Sequence, residues 1–363
     1  MAAEATACHL AVIITPLPPV FNVLLYCTYP NSWPMRPDES GYMFERIPVS
    51  HDPKETKVAL LAGGSSGERP ISLKSAEGAK GALEEAGYEV TQLDPAEADD
   101  LKALIDGDFD IAFLALHGKG GEDGAIQGFL QTIGLPYTCS GIWGSAVAID
   151  KPKAKVFYRE YGIPTPKGLT IARGEAYDVD DIIAKLGEKV AVKAATEGSS
   201  IGVYIVEGRE TLEEALKEAL EIDTKALVEQ FVKGTELTCV VMGSGDSAQA
   251  LPVIEIIPQN ESYDFESKYA PGGSEHVCPA RISEKATQGV QKYAIAAHNA
   301  LGCEGVTRTD FLLEESGDMW ALETNTVPGM TATSLLPDAA RAVGVSFPEL
   351  TTMMVQMALD ARR

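Results

Sequence analysis

The sequence predicts an α/β protein of two or three domains, the first of them built on a parallel sheet. Three observations lead to this prediction. The chain has 363 residues, which is enough for more than one domain. Hydrophobic residues make up 45% of it, so a sizeable core is expected. From Lys57 onward, short apolar runs alternate with segments of helical periodicity, as in sheets that are covered by helices.

The first folded region is predicted to begin at Lys57. KVALLAGG, YEVTQLD and FDIAFLALHG are predicted strands, and residues 72–86 are a predicted helix that ends at Gly87. Ligands of parallel α/β sheets lie beyond the carboxyl ends of the strands. The loops GGSSGER (63–69) and HGKGGEDG (117–124) occupy those ends, so both are candidate binding loops.

Further strands and helices follow in the second half of the chain. KVAVKAA and GVYIVEG are predicted strands around a glycine-serine loop, and ALVEQFVKG and ELTCVVMG are two more. Residues 211–220 and 283–301 are predicted helices, the first with a capping box at Thr211 and Glu214. The last helix should begin near Phe347, with capping-box spacing between Ser346 and Glu349.

The first 56 residues differ from the rest. Their apolar stretch, residues 9–29, is interrupted by three prolines and has no basic segment before it. We therefore expect neither a signal peptide nor a transmembrane helix. Residues 1–56 are predicted to be a poorly ordered extension or the result of a mis-assigned start, with Met43 as a later candidate.

Charge and cysteine usage exclude several classes of protein. The chain carries 30 Lys and Arg against 53 Asp and Glu, a net charge of −23. Nucleic acids and anionic membranes need clustered positive charge, so neither is an expected partner. The six cysteines are scattered without a Cys-x-x-Cys pair, which indicates reduced thiols in a cytosolic protein.

The segment DFLLEESGDMWALETN (310–325) is predicted to be a β-hairpin that turns at Ser316-Gly317. Counting outward from that turn places Asp310 opposite Glu323, with Asn325 on the same face. Opposed carboxylates repel, and an Asp/Glu/Asn set suits Mg²⁺, or a pair of such ions. The alternative is a solvated polar face. The other face should be apolar, formed by Phe311, Leu313, Trp320 and Leu322.

Two other segments have the composition of a nucleotide site. In KAATEGSSIG (193–202), Lys193 precedes a glycine-serine loop whose N–H groups can cradle an anion. VEQFV (228–232), with Glu236 after it, could hold a base through main-chain groups and ribose through the acid. The alternatives are an ordinary hairpin turn for the first segment and an ordinary strand for the second.

Three single residues are further candidates, each with a structural alternative. His117 follows a buried strand and could contact a substrate or cap the loop. Lys151, in AIDKPKAK, is a surface lysine by default. Arg308 shares a face with Asp310 and could stabilise developing negative charge or form a salt bridge with Asp310 or Glu323.

Taken together, the motifs resemble those of D-alanine–D-alanine ligases of the ATP-grasp fold. GGSSGER, LALHGKGGEDG, LPYTCSG, AIDK, VKAATEGSSIGV, YDFESKY, TRTDF and ETNTVPGMTATSLLP occur in that family's order over about residues 57–360. The resemblance implies an N-terminal Rossmann-like domain (57–140), a central ATP-grasp domain (141–233) and a C-terminal catalytic domain (234–363). Thr309 stands where an aliphatic residue is typical, and Pro70 where a non-proline residue is usual.

The resemblance also implies a role for each site residue. The implied contacts of ATP are Lys151, Lys193, Ser199 and Lys268 on the phosphate side, Glu229, Phe231 and Val232 at the adenine, and Glu236 at the ribose. The implied metal ligands, for two Mg²⁺ or Mn²⁺ ions, are Asp310, Glu323 and Asn325. The implied amino-acid contacts are Glu68 and His117 for the first D-alanine and Ser334 and Leu335 for the second. Ser199 and Tyr269 would link to Glu68 under a lid (259–275), and Arg308 and the Gly329 N–H would stabilise an oxyanion.

The implied activity is ATP-dependent joining of two D-alanine molecules through an acyl phosphate, for peptidoglycan synthesis in the cytoplasm, by a homodimer. Three alternatives remain at this stage. A related ligase could use D-lactate or D-serine as its second substrate. A non-catalytic nucleotide-binding module should have lost a metal ligand or the arginine. A dinucleotide oxidoreductase is disfavoured because GGSSGE lacks the Gly-x-Gly-x-x-Gly spacing.

Overall fold

The structure, a computed structural model, describes residues 44–258, 273–331 and 333–361. The predicted contacts Lys268 and Tyr269 lie outside the described residues. So do residues 1–43 of the predicted extension and most of the predicted lid.

The first sheet is parallel, as predicted, with the strand order β2-β1-β3. Helix α1 begins three residues before its predicted start, with Pro70 in its first turn, where a missing N–H costs no hydrogen bond. Gly87, at φ +103°, ends the helix as predicted. The elements of this region are β1 (Lys57–Leu61), α1 (Arg69–Ala86), β2 (Glu89–Leu93), α2 (Ala98–Asp106), β3 (Ile111–Leu114), α3 (Ala125–Ile133) and α4 (Ile142–Ile149).

Folded structure begins before the predicted boundary at Lys57. The Ser50 backbone N–H donates to the buried Gln356 side chain at 2.9 Å, and Ser50 Oγ donates to Asp360 Oδ1 at 2.8 Å. These contacts tie the chain ahead of the first strand to the last helix. The prediction of poor order is therefore wrong for residues 44–56.

The second sheet is antiparallel with the order β4-β7-β5-β6. Its elements and flanking helices are α5 (Lys151–Glu160), β4 (Gly168–Ala172), α6 (Val179–Leu186), β5 (Lys189–Ala194), β6 (Val203–Glu207), α7 (Arg209–Ile222) and β7 (Lys225–Gln230). The predicted capping box at Thr211 is wrong, because α7 already begins after Gly208. The Thr211 hydroxyl instead donates to the Glu207 carbonyl at 2.7 Å, one turn back.

The third sheet has the order β11-β10-β8-β12-β13, with β9 paired to β8. Its elements are β8 (Thr235–Gly243), β9 (Gln249–Ala250), β10 (Ile254–Pro258), β11 (Ser274–Val277), α8 (Glu284–Ala300), β12 (Gly305–Leu313), β13 (Met319–Asn325), α9 (Leu335–Ala342) and α10 (Phe347–Asp360). The capping box predicted at the start of α10 is confirmed, with the Ser346 N–H donating to Glu349 Oε2 at 2.8 Å.

Three hydrophobic clusters form the interior of the described chain. The largest packs the first sheet against α1 and α10, and smaller ones lie beneath the second and third sheets. Each predicted domain segment contains one sheet; the domain boundaries themselves stay a prediction. Over the residues that the structure describes, none of the helices combines the length and apolarity needed to cross a bilayer.

Candidate active site

The hairpin of β12 and β13 brings the predicted acidic pair together. Asp310 lies opposite Glu323, as predicted. The inner pairs are different, because the turn has three residues, 315–317, between Glu314 and Asp318. Phe311 consequently pairs with Ala321. A β-bulge between the inner and outer pairs restores the predicted register at the acids.

The shifted register changes which side chains share a face. The predicted apolar face of Phe311, Leu313, Trp320 and Leu322 is wrong. Phe311 and Leu313 pack instead with Ala321 and Met319 in the core beneath the third sheet. Leu322 lines the cleft on the other face, beside Glu323. The hairpin thus lies between cleft and core, and Phe311 borders both.

Asp310 has polar partners on several sides. Arg308 donates Nε to Asp310 Oδ1 at 2.9 Å and NH2 to Oδ2 at 2.8 Å. Thr238 Oγ1 donates to Oδ1 at 2.6 Å, and Asn325 Nδ2 donates to Oδ2 at 3.3 Å. Glu323 lies 3.5 Å from the Lys151 ammonium. The salt bridge between Arg308 and Asp310, which was the alternative to a catalytic role for Arg308, is therefore present.

A buried chain of hydroxyl groups lies behind the acids. Tyr158 OH is 2.6 Å from Thr324 Oγ1, which is 2.8 Å from Thr309 Oγ1. All three residues are buried. This chain accounts for a hydroxyl at position 309, where the resemblance leads one to expect an aliphatic residue, and it joins the two strands next to the acidic pair.

The predicted metal ligands consist of two carboxylates and one amide. In the described part of the chain, no three His, Cys, Asp or Glu side chains group as a metal site, so the protein alone supplies few ligands. Mg²⁺ accepts such sites when phosphate and water oxygens complete its coordination. The opposed, partly buried Asp310 and Glu323 carboxylates fit this ion.

Lys151 is buried rather than on the surface. It begins α5, and its Nζ donates to the Glu197 carbonyl at 2.5 Å. Its backbone N–H donates to the Ala195 carbonyl at 3.0 Å. The ammonium group is thereby held between the glycine-serine loop and Glu323.

Lys193 belongs to a buried charge cluster, which we call the Lys–Glu–Lys triad: Lys155, Glu229 and Lys193. The Glu229 carboxylate is 2.8 Å from Lys155 Nζ through Oε1 and 2.8 Å from Lys193 Nζ through Oε2. Burial alone would raise the pKa of Glu229, but the two ammonium groups hold it below its usual value. Burial lowers the pKa of Lys155 to about 8 against the attraction of Glu229. In Lys193 that attraction outweighs burial, and the pKa is raised.

A cleft of about 720 Å³ lies between the second and third sheets. Its lining combines apolar side chains with charged groups, as expected of a site for a nucleotide-sized ligand. Lys189 Nζ lies 4.2 Å from the centre of the Phe231 ring. The predicted residues that line this cleft are Lys151, Lys193, Glu229, Phe231, Val232, Glu236, Asp310 and Glu323.

The glycine-serine loop packs against Glu68. Ser199 Oγ donates to Glu68 Oε2, a link that the resemblance implied. A Cβ on Gly198 would lie 2.5 Å from Glu68 Oε1, and one on Gly118 would lie 2.6 Å from it. A side chain at either glycine would therefore displace the Glu68 carboxylate. Ser199 also has a positive φ of 51°, a sparsely populated conformation for a non-glycine residue.

His117 is buried and neutral. Its Nε2 is 3.0 Å from Ser75 Oγ, and the ring has a hydrogen bond with the Val327 backbone. Burial, followed by the charge of Arg308, lowers the pKa of His117 to about 4. A contact with a substrate carboxylate would therefore use a neutral imidazole.

Glu122 is a site residue that sequence reasoning missed. Its Oε2 accepts from the Gly118 N–H at 2.9 Å, and its Oε1 accepts from the Val327 N–H at 3.1 Å. Burial, with the charge of Glu68, raises the pKa of Glu122 to about 7. This side chain joins the loop of His117 to the segment before Gly329.

Ser334 and Leu335 lie at the N-terminus of α9. Ser334 is its N-cap, and Ser334 Oγ accepts from the Thr331 N–H at 3.0 Å. A Cβ on Gly329 would lie 3.0 Å from Ser334 Oγ, so the Pro-Gly turn packs closely on this helix end. The N–H groups at a helix N-terminus attract carboxylates.

Lys155 and Lys119 were also missed from sequence. Lys155 stands four residues after Lys151, a spacing that places both on one helix face, and this was a usable signal. Lys119 Nζ lies 2.5 Å from Glu197 Oε1. This ion pair links the loop 117–124 to the glycine-serine loop 193–202. The position of Lys119 between glycines was its one sequence signal.

Comparison with solved structures defines the class of protein. A structure of D-alanine–D-alanine ligase from Bacillus anthracis is 32% identical, with a TM-score of 0.75, over 85% of this chain and 98% of that chain. The same enzyme complexed with ATP has a TM-score of 0.74 at 32% identity, with the same coverage. The chain accordingly has the ATP-grasp fold.

Sequence comparisons define the family. The family model for the D-ala D-ala ligase C-terminus matches residues 157–356, and the model for the N-terminus matches residues 92–140. A D-alanine–D-alanine ligase of Desulfotalea psychrophila is 45% identical over 84% of this chain and 95% of its own length. One from Halalkalibacterium halodurans is 44% identical over 84% and 99%. The chain belongs to the D-alanine–D-alanine ligase family, whose members form a carbon–nitrogen bond.

Proposed function

We propose that this chain joins two D-alanine molecules into D-alanyl-D-alanine, converting ATP to ADP and phosphate, for peptidoglycan precursors in the cytoplasm. The single observation that carries the proposal is the opposed pair Asp310 and Glu323 in a cleft that also holds Lys151 and Lys193. The names of the relatives and the cleft volume support it. As in the family, we expect a homodimer.

Binding of ATP follows from the charges in the cleft. Lys151 and Lys193 line the cleft and would contact phosphate, while main-chain groups after Glu229 would contact the adenine. The Phe231 N–H donates to the Lys189 carbonyl at 3.3 Å. The chain leaves the sheet after this bond, so the main-chain groups of Val232 would be the ones offered to a base. Glu236 lies further along the same cleft and would accept from ribose hydroxyls.

Asp310, Glu323 and Asn325 would hold two Mg²⁺ ions, with Mn²⁺ as an alternative. When bound, these ions neutralise the charge of the transferring phosphoryl group.

The first D-alanine must be activated because a carboxylate is a poor electrophile. Its ammonium group would contact Glu68, and its carboxylate would contact His117. Held this way, the carboxylate attacks the γ-phosphorus of ATP and becomes an acyl phosphate, with ADP as the leaving group. Ser199 fixes the Glu68 carboxylate, which orients the substrate without contact to the reacting bond.

The second D-alanine completes the reaction. Ser334 and the N–H groups at the start of α9 would receive its carboxylate, with Leu335 beside them. Its deprotonated amine attacks the acyl carbon, and Arg308 with the Gly329 N–H would stabilise the oxyanion. Phosphate then leaves. The segment 259–275, with Lys268 and Tyr269, would exclude water from the acyl phosphate.

The proposal is tested by phosphate release from ATP and Mg²⁺ with D-alanine, D-lactate and D-serine as competing acceptors. We expect D-alanyl-D-alanine as the main product, identified by mass spectrometry. A mixed product made in preference to the dipeptide would move the chain to the ligases with a different second substrate. Absence of phosphate release with every acceptor, from folded protein that binds ATP, would overturn the catalytic proposal.

A further inference from the structure

Lys155 is a buried cation that does not line the cleft. It is 2% exposed. Besides Glu229, its ammonium group donates to Thr165 Oγ1 at 2.8 Å and to the Ala321 carbonyl at 3.4 Å. These contacts surround the group on the side away from the cleft. Lys155 therefore cannot serve as a phosphate contact, and its charge has another use.

Lys193 differs from Lys155 in its access to the cleft. Its side chain is 12% exposed and lines the cleft wall, yet its ammonium group is paired with Glu229 at 2.8 Å. To bind a phosphate, it must weaken this ion pair. Leaving a buried carboxylate without any partner is strongly unfavourable. If Lys193 were the single counter-ion of Glu229, it could not leave Glu229 for a phosphate without this cost.

The Lys–Glu–Lys triad has two positive groups for one negative group. Each oxygen of Glu229 has its own lysine. When Lys193 turns toward a phosphate, Glu229 keeps its ion pair with Lys155. The exchange of partners by Lys193 therefore leaves no buried charge uncompensated.

We propose that Lys155 is a positioning residue that neutralises Glu229 and so releases Lys193 for the phosphates of the nucleotide. This inference rests on the proposed use of ATP at the cleft. It assigns to Lys155 an effect on nucleotide affinity that passes through Glu229 and Lys193, with no contact to the ligand.

The test is a double-mutant cycle read out as the dissociation constant of ADP and of a non-hydrolysable ATP analogue with Mg²⁺, by calorimetry without D-alanine. In Lys155→Met, Glu229 retains Lys193, and we expect affinity to fall by about 10- to 100-fold. In the background of Glu229→Gln, the same Lys155→Met change should cost less than about threefold, because no carboxylate remains to hold Lys193. Lys185→Met is the matched control, since Lys185 is an exposed lysine that forms an ion pair with Asp181; the affinity of this variant should equal that of the wild type.

Thermal unfolding shows whether each variant is folded. The loss of affinity in the two Glu229 backgrounds then separates a positioning role of Lys155 from a structural one. A loss of affinity that is equal in both Glu229 backgrounds would overturn the inference, because Lys155 would then act by packing. Wild-type affinity in Lys155→Met would overturn it as well. If Lys155→Met does not fold, Lys155→Gln, which keeps a donor but no charge, gives the same comparison. Failure of the wild-type protein itself to bind either nucleotide would instead overturn the proposed function.

Discussion

The substitution Gly198→Ala tests the close approach of the glycine-serine loop to Glu68. The added Cβ would lie 2.5 Å from Glu68 Oε1 and 3.1 Å from its Cδ. The first distance is about 1 Å shorter than a van der Waals contact. Gly198 is not among the residues with positive φ, so the backbone itself accepts alanine, and the effect comes from this contact alone.

The magnitude follows from the hydrogen bond that the displaced carboxylate loses. Glu68 is buried and accepts from Ser199 Oγ, and a hydrogen bond to a charged group contributes about 1.5–3 kcal/mol. If Glu68 orients the first D-alanine, kcat/KM for D-alanine should fall by about 10- to 100-fold. The KM for ATP should change less than the KM for D-alanine, because the displaced Glu68 carboxylate is a proposed D-alanine contact and not a proposed ATP contact.

The assay is the initial rate of phosphate release, measured with D-alanine varied at saturating ATP and with ATP varied at saturating D-alanine. Gly81→Ala is the control: the same change on α1, where nothing lies within 4 Å of the new Cβ. It should leave the kinetics unchanged and stabilise the helix by about 0.5–1 kcal/mol. Wild-type kcat/KM for D-alanine in a folded Gly198→Ala variant would refute the role assigned to the Glu68–Ser199 contact.

Two other substitutions test separate parts of the site, and a third tests the buried His298, which lies on α8 and contacts Thr307 Oγ1 at 2.8 Å. Glu323→Gln should abolish turnover and leave the fold intact, because one metal carboxylate is lost; wild-type-like rates would remove the metal assignment. Ser334→Ala should raise KM for the second D-alanine about 3- to 30-fold with unchanged ATP affinity, and an unchanged KM would exclude the contact. For His298, burial lowers the pKa to about 4, whereas the unfolded chain is protonated near 6.5. Compared with His298→Asn, the wild type should therefore lose up to about 3 kcal/mol of unfolding free energy as pH falls from about 6.5 to 4, measured by urea denaturation; parallel pH profiles would contradict this.

The prediction that Asp310 lies opposite Glu323 is correct because two irregularities of the hairpin cancel each other. The count from Ser316-Gly317 assumed an even-numbered turn, whereas Gly317, at φ +91°, ends a turn of three residues. The error moved every inner pair by one residue, until the bulge at Leu322 cancelled it before Glu323. The extra residue, Leu322, follows the apolar Ala321, so hydrophobicity alone could not show where the bulge lies.

The buried ionic groups were the least predictable part of the site. Sequence treats lysine as exposed by default, and Lys155 and Lys151 are buried because the carboxylates opposite them come from distant strands. Glu122 was missed for a similar reason: its partner, the Val327 N–H, is 205 residues away. Helix and strand order, which depends on local pattern, was predicted far better than these pairings across sheets.

The hydrogen bonds of Ser50 with Gln356 and Asp360 hold the segment ahead of β1 beside the end of α10. A circular permutant that links residue 361 to residue 50 through a short spacer and opens the exposed turn at Gly317 should keep all three sheets. In this permutant the segments would be synthesised in a different order, and the cleft would be preserved.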